Sequence, residues 1–184
     1  MITRMVPGAI GALLFPTVSN IEDINQSRKL TARAFRVSFL ILLFFGAILS
    51  VFIKPIVFVL YGKDYLPMIV PFLIVIPGLV FSQSTSLFTS YFSGTGRPDL
   101  IPKIAIFPLI IQALVAYSII PVMGIVGASI AFLISTISVA IIQTIVFLKV
   151  SNSTFQEILL KREDFYTVKD FIGMQFGKIM AFHR

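Results

Sequence analysis

The stretch YFSGTGRPDL, Tyr91 to Leu100, lies between two long apolar runs. Its two glycines, threonine, arginine and proline fit either a phosphate-holding loop of a soluble enzyme or a turn between two membrane helices. A phosphate loop needs the order Gly-x-x-x-x-Gly-Lys-Ser/Thr between a strand and a helix. Here the glycines follow a serine-rich helical run and precede an apolar one. Gly94 and Gly96 are free to take positive φ and end a helix, and Pro98 stops its continuation. The stretch therefore reads as a turn.

Composition supports the membrane reading. Of 184 residues, 57% are hydrophobic and 12% charged, against about half and a quarter in an ordinary soluble domain. So little charge cannot cover the surface of a soluble fold this large. The fold class expected is an all-α integral membrane protein. Cysteine is absent, which excludes disulfides and thiolate metal sites. The single histidine, His183, reads as a solvated tail residue, and neither a metal nor a cofactor is expected.

A bilayer core about 30 Å thick needs roughly 20 apolar residues as helix. Four runs qualify: 37–60, interrupted near its end by Lys54-Pro55; 68–90, carrying Pro71 and Pro77; 104–122; and 125–148. A fifth apolar run, 5–18, is short and holds Pro7 and Pro16. It reads as a partial N-terminal span. The other reading is a signal peptide with Arg4 as its basic region, but a small-residue cleavage site is hard to find.

Lysine and arginine bias sets orientation. Twelve of the 15 basic residues fall in one alternate set of loops: 19–36, 91–103 and the tail from 149. The other set holds only Arg4, Lys54 and Lys63. The first set, with the GTGRP turn and the C-terminus, is expected in the cytoplasm, and the chain in the cytoplasmic (plasma) membrane as a multi-pass protein. The net charge of +7 then needs no nucleic-acid partner. In the cytoplasmic tail, 151–184, Phe165, Val168, Ile172, Phe176 and Ile179 recur at helical spacing. They make an amphipathic helix lying on the inner leaflet one reading, and a weakly ordered tail the other.

All eight acidic residues lie outside the four spans. This argues against ion coupling by intramembrane carboxylates and against a membrane-embedded hydrolase or metal enzyme. The polar content of the spans concentrates instead before the GTGRP turn. Ser82, Ser86, Thr89 and Ser93 are spaced four, three and four, so they share a helix face; Gln83 and Ser90 flank them. In lipid such a face turns toward protein or a water-filled cavity. It reads as lining a substrate cavity, with interhelical hydrogen bonding as the plainer alternative. Gln112 is a weaker candidate for the same lining, as is Gln143. Arg97, Lys103 and Arg36, on the cytoplasmic side, are candidates for touching lipid headgroups. Lys54 reads as snorkelling to the outer interface, or as meeting an anionic substrate if that helix end opens into a cavity. Gly127, Ala131 and Ser135, four apart, form a small-residue ridge for close helix packing.

Taken in order, VPGAIGALLFPTVSN, RKLTARAFR, KPIVFVLYGKDY, YFSGTGRP and IPVMGIVGASIAFLIS resemble the C-terminal part of polysaccharide-type flippases. These belong to the multidrug/oligosaccharidyl-lipid/polysaccharide exporter superfamily. The family's Tyr-x-x-Gly-x-Gly-Arg pattern falls on Tyr91, Gly94, Gly96 and Arg97. Its Pro-x-x-Gly-x-x-Gly-Ala pattern falls on Pro121, Gly124, Gly127 and Ala128. The resemblance implies translocation of lipid-linked oligosaccharide or polysaccharide precursors by alternating access between two bundles of about six helices. The partners implied are membrane lipids and a lipid-linked sugar. Four spans and a partial one correspond to part of the C-terminal bundle, so a fragment or split product, with an N-terminal bundle or second chain as partner, is expected. The alternatives are a fragment of a cation-coupled multidrug exporter, and a membrane scaffold subunit of envelope polysaccharide synthesis.

Overall fold

The structure is a computed structural model and describes residues 24–161 and 163–164. The 5–18 run and the tail beyond 164, with its expected amphipathic helix, lie outside the described residues.

Helix α1 spans Ile24–Tyr61. At 1.5 Å per residue its 38 residues extend about 57 Å, well beyond a hydrocarbon core of about 30 Å. The basic stretch RKLTARAFR, expected as loop, forms its first turns. Arginine, lysine, leucine and alanine are all good helix formers, so the apolar span is extended outward by a charged shaft. Pro55 sits inside the helix without ending it. Gly62, at φ 88°, closes it, its N–H donating to the Phe58 carbonyl.

A 3-10 turn, Lys63–Met68, leads into α2, Ile69–Gly94. Pro71 lies in the first turn of α2, where the missing N–H is one of the unpaired ones anyway. Only Pro77 stands in the interior, so it alone of the two removes an intrahelical hydrogen bond.

The far end of α2 is a Schellman motif. The Arg97 N–H donates to the Phe92 carbonyl at 2.8 Å and the Gly96 N–H to Ser93 at 3.2 Å. Gly96 takes φ 74°, while Gly94 remains within the helix.

Helix α3 covers Leu100–Ser151 and is broken at Gly124, whose φ 55° and ψ −129° are not helical. The two parts, 100–123 and 125–151, fold back on each other. Ser135 donates to the Pro108 carbonyl at 3.1 Å; in a straight helix these residues would stand about 40 Å apart. The small-residue ridge sits in this contact: Gly127, Ala131 and Ser135 are all buried. A Cβ on Gly127 would meet the Ile119 carbonyl oxygen at 2.8 Å.

Helix α2 lies between its neighbours, packing on α1 and on α3, while α1 and α3 barely touch directly. On the α3 side a Cβ at Gly78 would approach Thr136 Oγ1 to 2.6 Å. The described residues form helices and turns with no strand. Three helical segments, those of α1, α2 and α3, are long and apolar enough to cross a membrane. Their outward faces are apolar, with Phe44, Phe52, Val59, Phe107, Leu109 and Val122 among the exposed side chains, as a lipid-facing surface requires.

Candidate functional site

Two polar features stand out from the apolar bundle: a charged strap at one end and a hydroxyl-rich flank on α2.

The strap begins where α3 stops. Asn152 takes the left-handed conformation, φ 49° and ψ 37°, and the Ser153 N–H caps the Leu148 carbonyl at 3.0 Å. The chain then reverses through a short 3-10 turn, Phe155–Glu157, toward the first turns of α1. Ile158 is buried against a cluster of Leu87, Phe88, Tyr91, Phe92, Ile104 and Phe147. The rings of Phe88 and Phe147 stack at 4.4 Å, and Phe35 of α1 stacks on Phe88 at 5.0 Å. This aromatic core therefore joins all three helices at the end where Arg28 and Arg36 stand.

Two arginines bind the strap down. Arg28 and Arg36, eight residues apart on α1, project from the same side of the helix. Arg28 donates to Glu157 Oε1 at 3.1 Å and to the Asn152 carbonyl at 3.2 Å. The Nε of Arg36 donates to Asp164 Oδ2 at 2.6 Å, and its Nη1 to the Glu157 carbonyl. Asp164 Oδ2 also accepts the Lys161 N–H at 2.9 Å. Both Arg36 and Asp164 are buried. Burying such a pair carries a desolvation cost, which the further bonds to the Glu157 carbonyl and from the Lys161 N–H partly offset. The strap supplies the α1–α3 link that direct helix packing does not.

The headgroup candidates thus separate. Arg36 faces inward and is engaged by Asp164 and Glu157. Arg97 and Lys103 are exposed beside the turn between α2 and α3. Lys103 pairs with Asp99 at 2.8 Å across one helical turn. That hydrogen bond, more than any other influence, holds the exposed Asp99 carboxyl below the usual aspartate range.

On α2, Ser82, Gln83, Ser86, Thr89 and Ser90 are all half-buried along one flank. Ser86 donates to the Gln83 carbonyl at 2.6 Å, and Ser82 reaches the Leu79 carbonyl at 3.5 Å. Thr89 Oγ1 accepts from Gln143 Nε2 at 3.4 Å, a polar link from α2 to the second part of α3. The Gln83 side chain makes no hydrogen bond among the described residues, nor does Gln112 on the first part of α3, which the fold does not tie to the serine flank. The apolar groove of about 240 Å³ between α1 and α2 is lined by Phe39, Leu43, Pro77, Val80 and neighbouring residues, not by the serine flank.

Several polar residues that sequence reasoning passed over are more deeply placed. Ser84 and Thr85 are buried and donate to their own helix, to Val80 and Phe81. Ser38 is fully buried, and its Oγ has no partner among the described residues. Arg28, Glu157 and Asp164 were equally unmarked. The available signal was spacing: two arginines eight apart on a helix and two acids seven apart in the tail.

Comparison with protein-family models, curated proteins and solved structures gives no match.

Proposed function

We propose that the chain is a membrane module that crosses the bilayer four times, the two parts of α3 each making one crossing. It forms part of the C-terminal bundle of an alternating-access exporter for lipid-linked oligosaccharide or polysaccharide precursors in the cytoplasmic membrane. The basic end, with the strap, is cytoplasmic. The module works against a second bundle, since the transport cavity of such a protein lies between two repeats.

The observation that carries this reading is the state of Gln83. Its amide lies half-exposed on a flank of hydroxyls, within a helix apolar enough to span, and is without a hydrogen-bond partner among the described residues. An amide facing hydrocarbon unpaired costs several kcal/mol. A flank of this kind is suited to a watery cavity or a polar ligand such as a sugar. Arg97 then stands at the headgroup level, near where a diphosphate would enter.

The test is binding of a fluorescent polyprenyl-diphosphate saccharide to the full chain in vesicles. Loss of one hydrogen bond in Gln83→Ala should weaken binding roughly two- to tenfold, and Arg97→Ala at least as much. Unchanged binding in both variants removes the reading.

A further inference from the structure

At the end opposite the strap, α1 and the 3-10 turn enclose a groove of about 400 Å³ lined by Lys54, Pro55, Phe58, Lys63 and Leu66. This is within the range of roughly 300–1,000 Å³ typical of small-molecule sites. Its lining is wholly apolar: Pro55, Phe58, Leu66 and the aliphatic stems of Lys54 and Lys63 form the walls, and the two ammonium groups lie outside that lining. Lys54 and Lys63 come from different elements, nine positions apart in sequence, yet border the same space. Neither forms an ion pair with another described residue. Asp64, next in sequence to Lys63, is exposed and is not among the groove's lining residues.

Depth matters as well. Lys54 lies seven residues before the end of α1, about 10 Å along the axis. Tyr61 and Tyr65, whose rings meet at 5.7 Å and are both exposed, mark a height at which amphipathic rings sit between water and hydrocarbon. Lys63 is thus at the interface and Lys54 just beneath it, where an ammonium on a flexible stem seeks an anion at headgroup level.

We propose that this groove is a binding site for an anionic phospholipid of the surrounding leaflet. The headgroup phosphate lies between the Lys54 and Lys63 ammonium groups, and the upper part of one acyl chain lies along Pro55, Phe58 and Leu66. Charge complementarity selects the occupant: two cations without an internal counterion, at the mouth of an apolar trough, match a molecule with one anionic head and a hydrocarbon body. A zwitterionic phospholipid carries the same phosphate, but its own ammonium opposes the pair. The site is independent of the transport reading, because it faces the bilayer at the opposite end of α1 from Arg97 and requires no second bundle.

The test is native mass spectrometry of the full chain. Protein released from nanodiscs containing equal parts phosphatidylglycerol and phosphatidylcholine is scored for retained lipid. Wild type should retain phosphatidylglycerol over phosphatidylcholine by roughly thirtyfold, as two lysines near a charged headgroup imply. Lys54→Gln/Lys63→Gln should lower the preference to near one. Lys54→Arg/Lys63→Arg should keep it, and so should Lys29→Gln/Arg33→Gln, which removes two exposed cations at the other end. Circular dichroism checks that each variant keeps its helix content. Equal retention of the two lipids by wild type overturns the proposal. So does an undiminished preference in the glutamine pair, or an equal loss in the Lys29/Arg33 control, which would mean general charge attraction.

Discussion

Arg36 and Asp164 stand 128 residues apart in the chain and meet at 2.6 Å, both side chains withdrawn from solvent. Their pairing turns a row of three packed helices into a structure closed at one end. α2 separates α1 from α3, and the strap bridges what helix packing leaves open. Because Arg36 also bonds the Glu157 carbonyl and Asp164 also accepts the Lys161 N–H, loss of either partner strands a buried charge.

Arg36→Gln and Asp164→Asn should each destabilise the strap by about 3–5 kcal/mol, the usual cost of leaving one member of a buried pair alone. Protease accessibility at residues 152–161, measured with the full chain in detergent, reads the effect directly. The reversed pair, Arg36→Asp/Asp164→Arg, should recover part of the loss. Equal protection in wild type and Arg36→Gln would show that the pair holds nothing.

The contact of Gly78 with Thr136 offers a paired test. Gly78→Ala places a methyl 2.6 Å from Thr136 Oγ1, an overpacking that should cost about 1–3 kcal/mol. Thr136→Ala removes that oxygen. In reversible denaturant unfolding the double variant should therefore be less destabilised than the sum of the two single ones. Simple additivity would place the two helices farther apart than described.

Gly124 and Gly127 should both resist alanine, for different reasons. At Gly124 there is open space for a Cβ, but φ 55° with ψ −129° is a glycine conformation, so alanine costs about 1–3 kcal/mol in backbone strain. At Gly127 the backbone is unremarkable and the obstacle is the Ile119 carbonyl. Gly124→Asn should be tolerated no better than alanine, whereas at Gly127 serine and alanine should be equally poor. Wild-type stability in Gly124→Ala would contradict the fold-back of α3.

Asp99 should titrate below ordinary aspartate, since its hydrogen bond to Lys103 favours the carboxylate. The sign follows: the pairing is present above the unfolded-state pKa and is lost as pH falls through the lower folded-state value. Carboxyl-labelled NMR in micelles should show the Asp99 midpoint rising toward normal in Lys103→Gln. An unmoved midpoint would assign the depression elsewhere.

What was legible in the sequence was whatever depends on neighbours in the chain. The apolar runs gave the helices, Gly96 ended α2 as a positive-φ residue, and the Gly127–Ala131–Ser135 ridge foretold the tight contact within α3. The first turns of α1 were misjudged as loop because charge density outweighed the helix preference of RKLTARAFR. The serine flank kept its shared face, yet Ser82 and Ser86 bond within their own helix, which spacing alone does not reveal. Arg36 read as a surface cation because nothing near it in sequence neutralises it. Its partner arrives only after the chain has passed through two more helical segments, and no local pattern encodes that meeting.

In the proposed function the apolar helices cross a bilayer and α3 crosses and returns, which sidedness tests most directly. The chain has no cysteine, so single introduced cysteines report cleanly on sidedness in oriented vesicles. Arg97→Cys and Ser153→Cys should react with an impermeant maleimide from one side only, and Lys63→Cys and Met123→Cys only from the other. Labelling of Arg97→Cys and Met123→Cys from the same side would contradict the account.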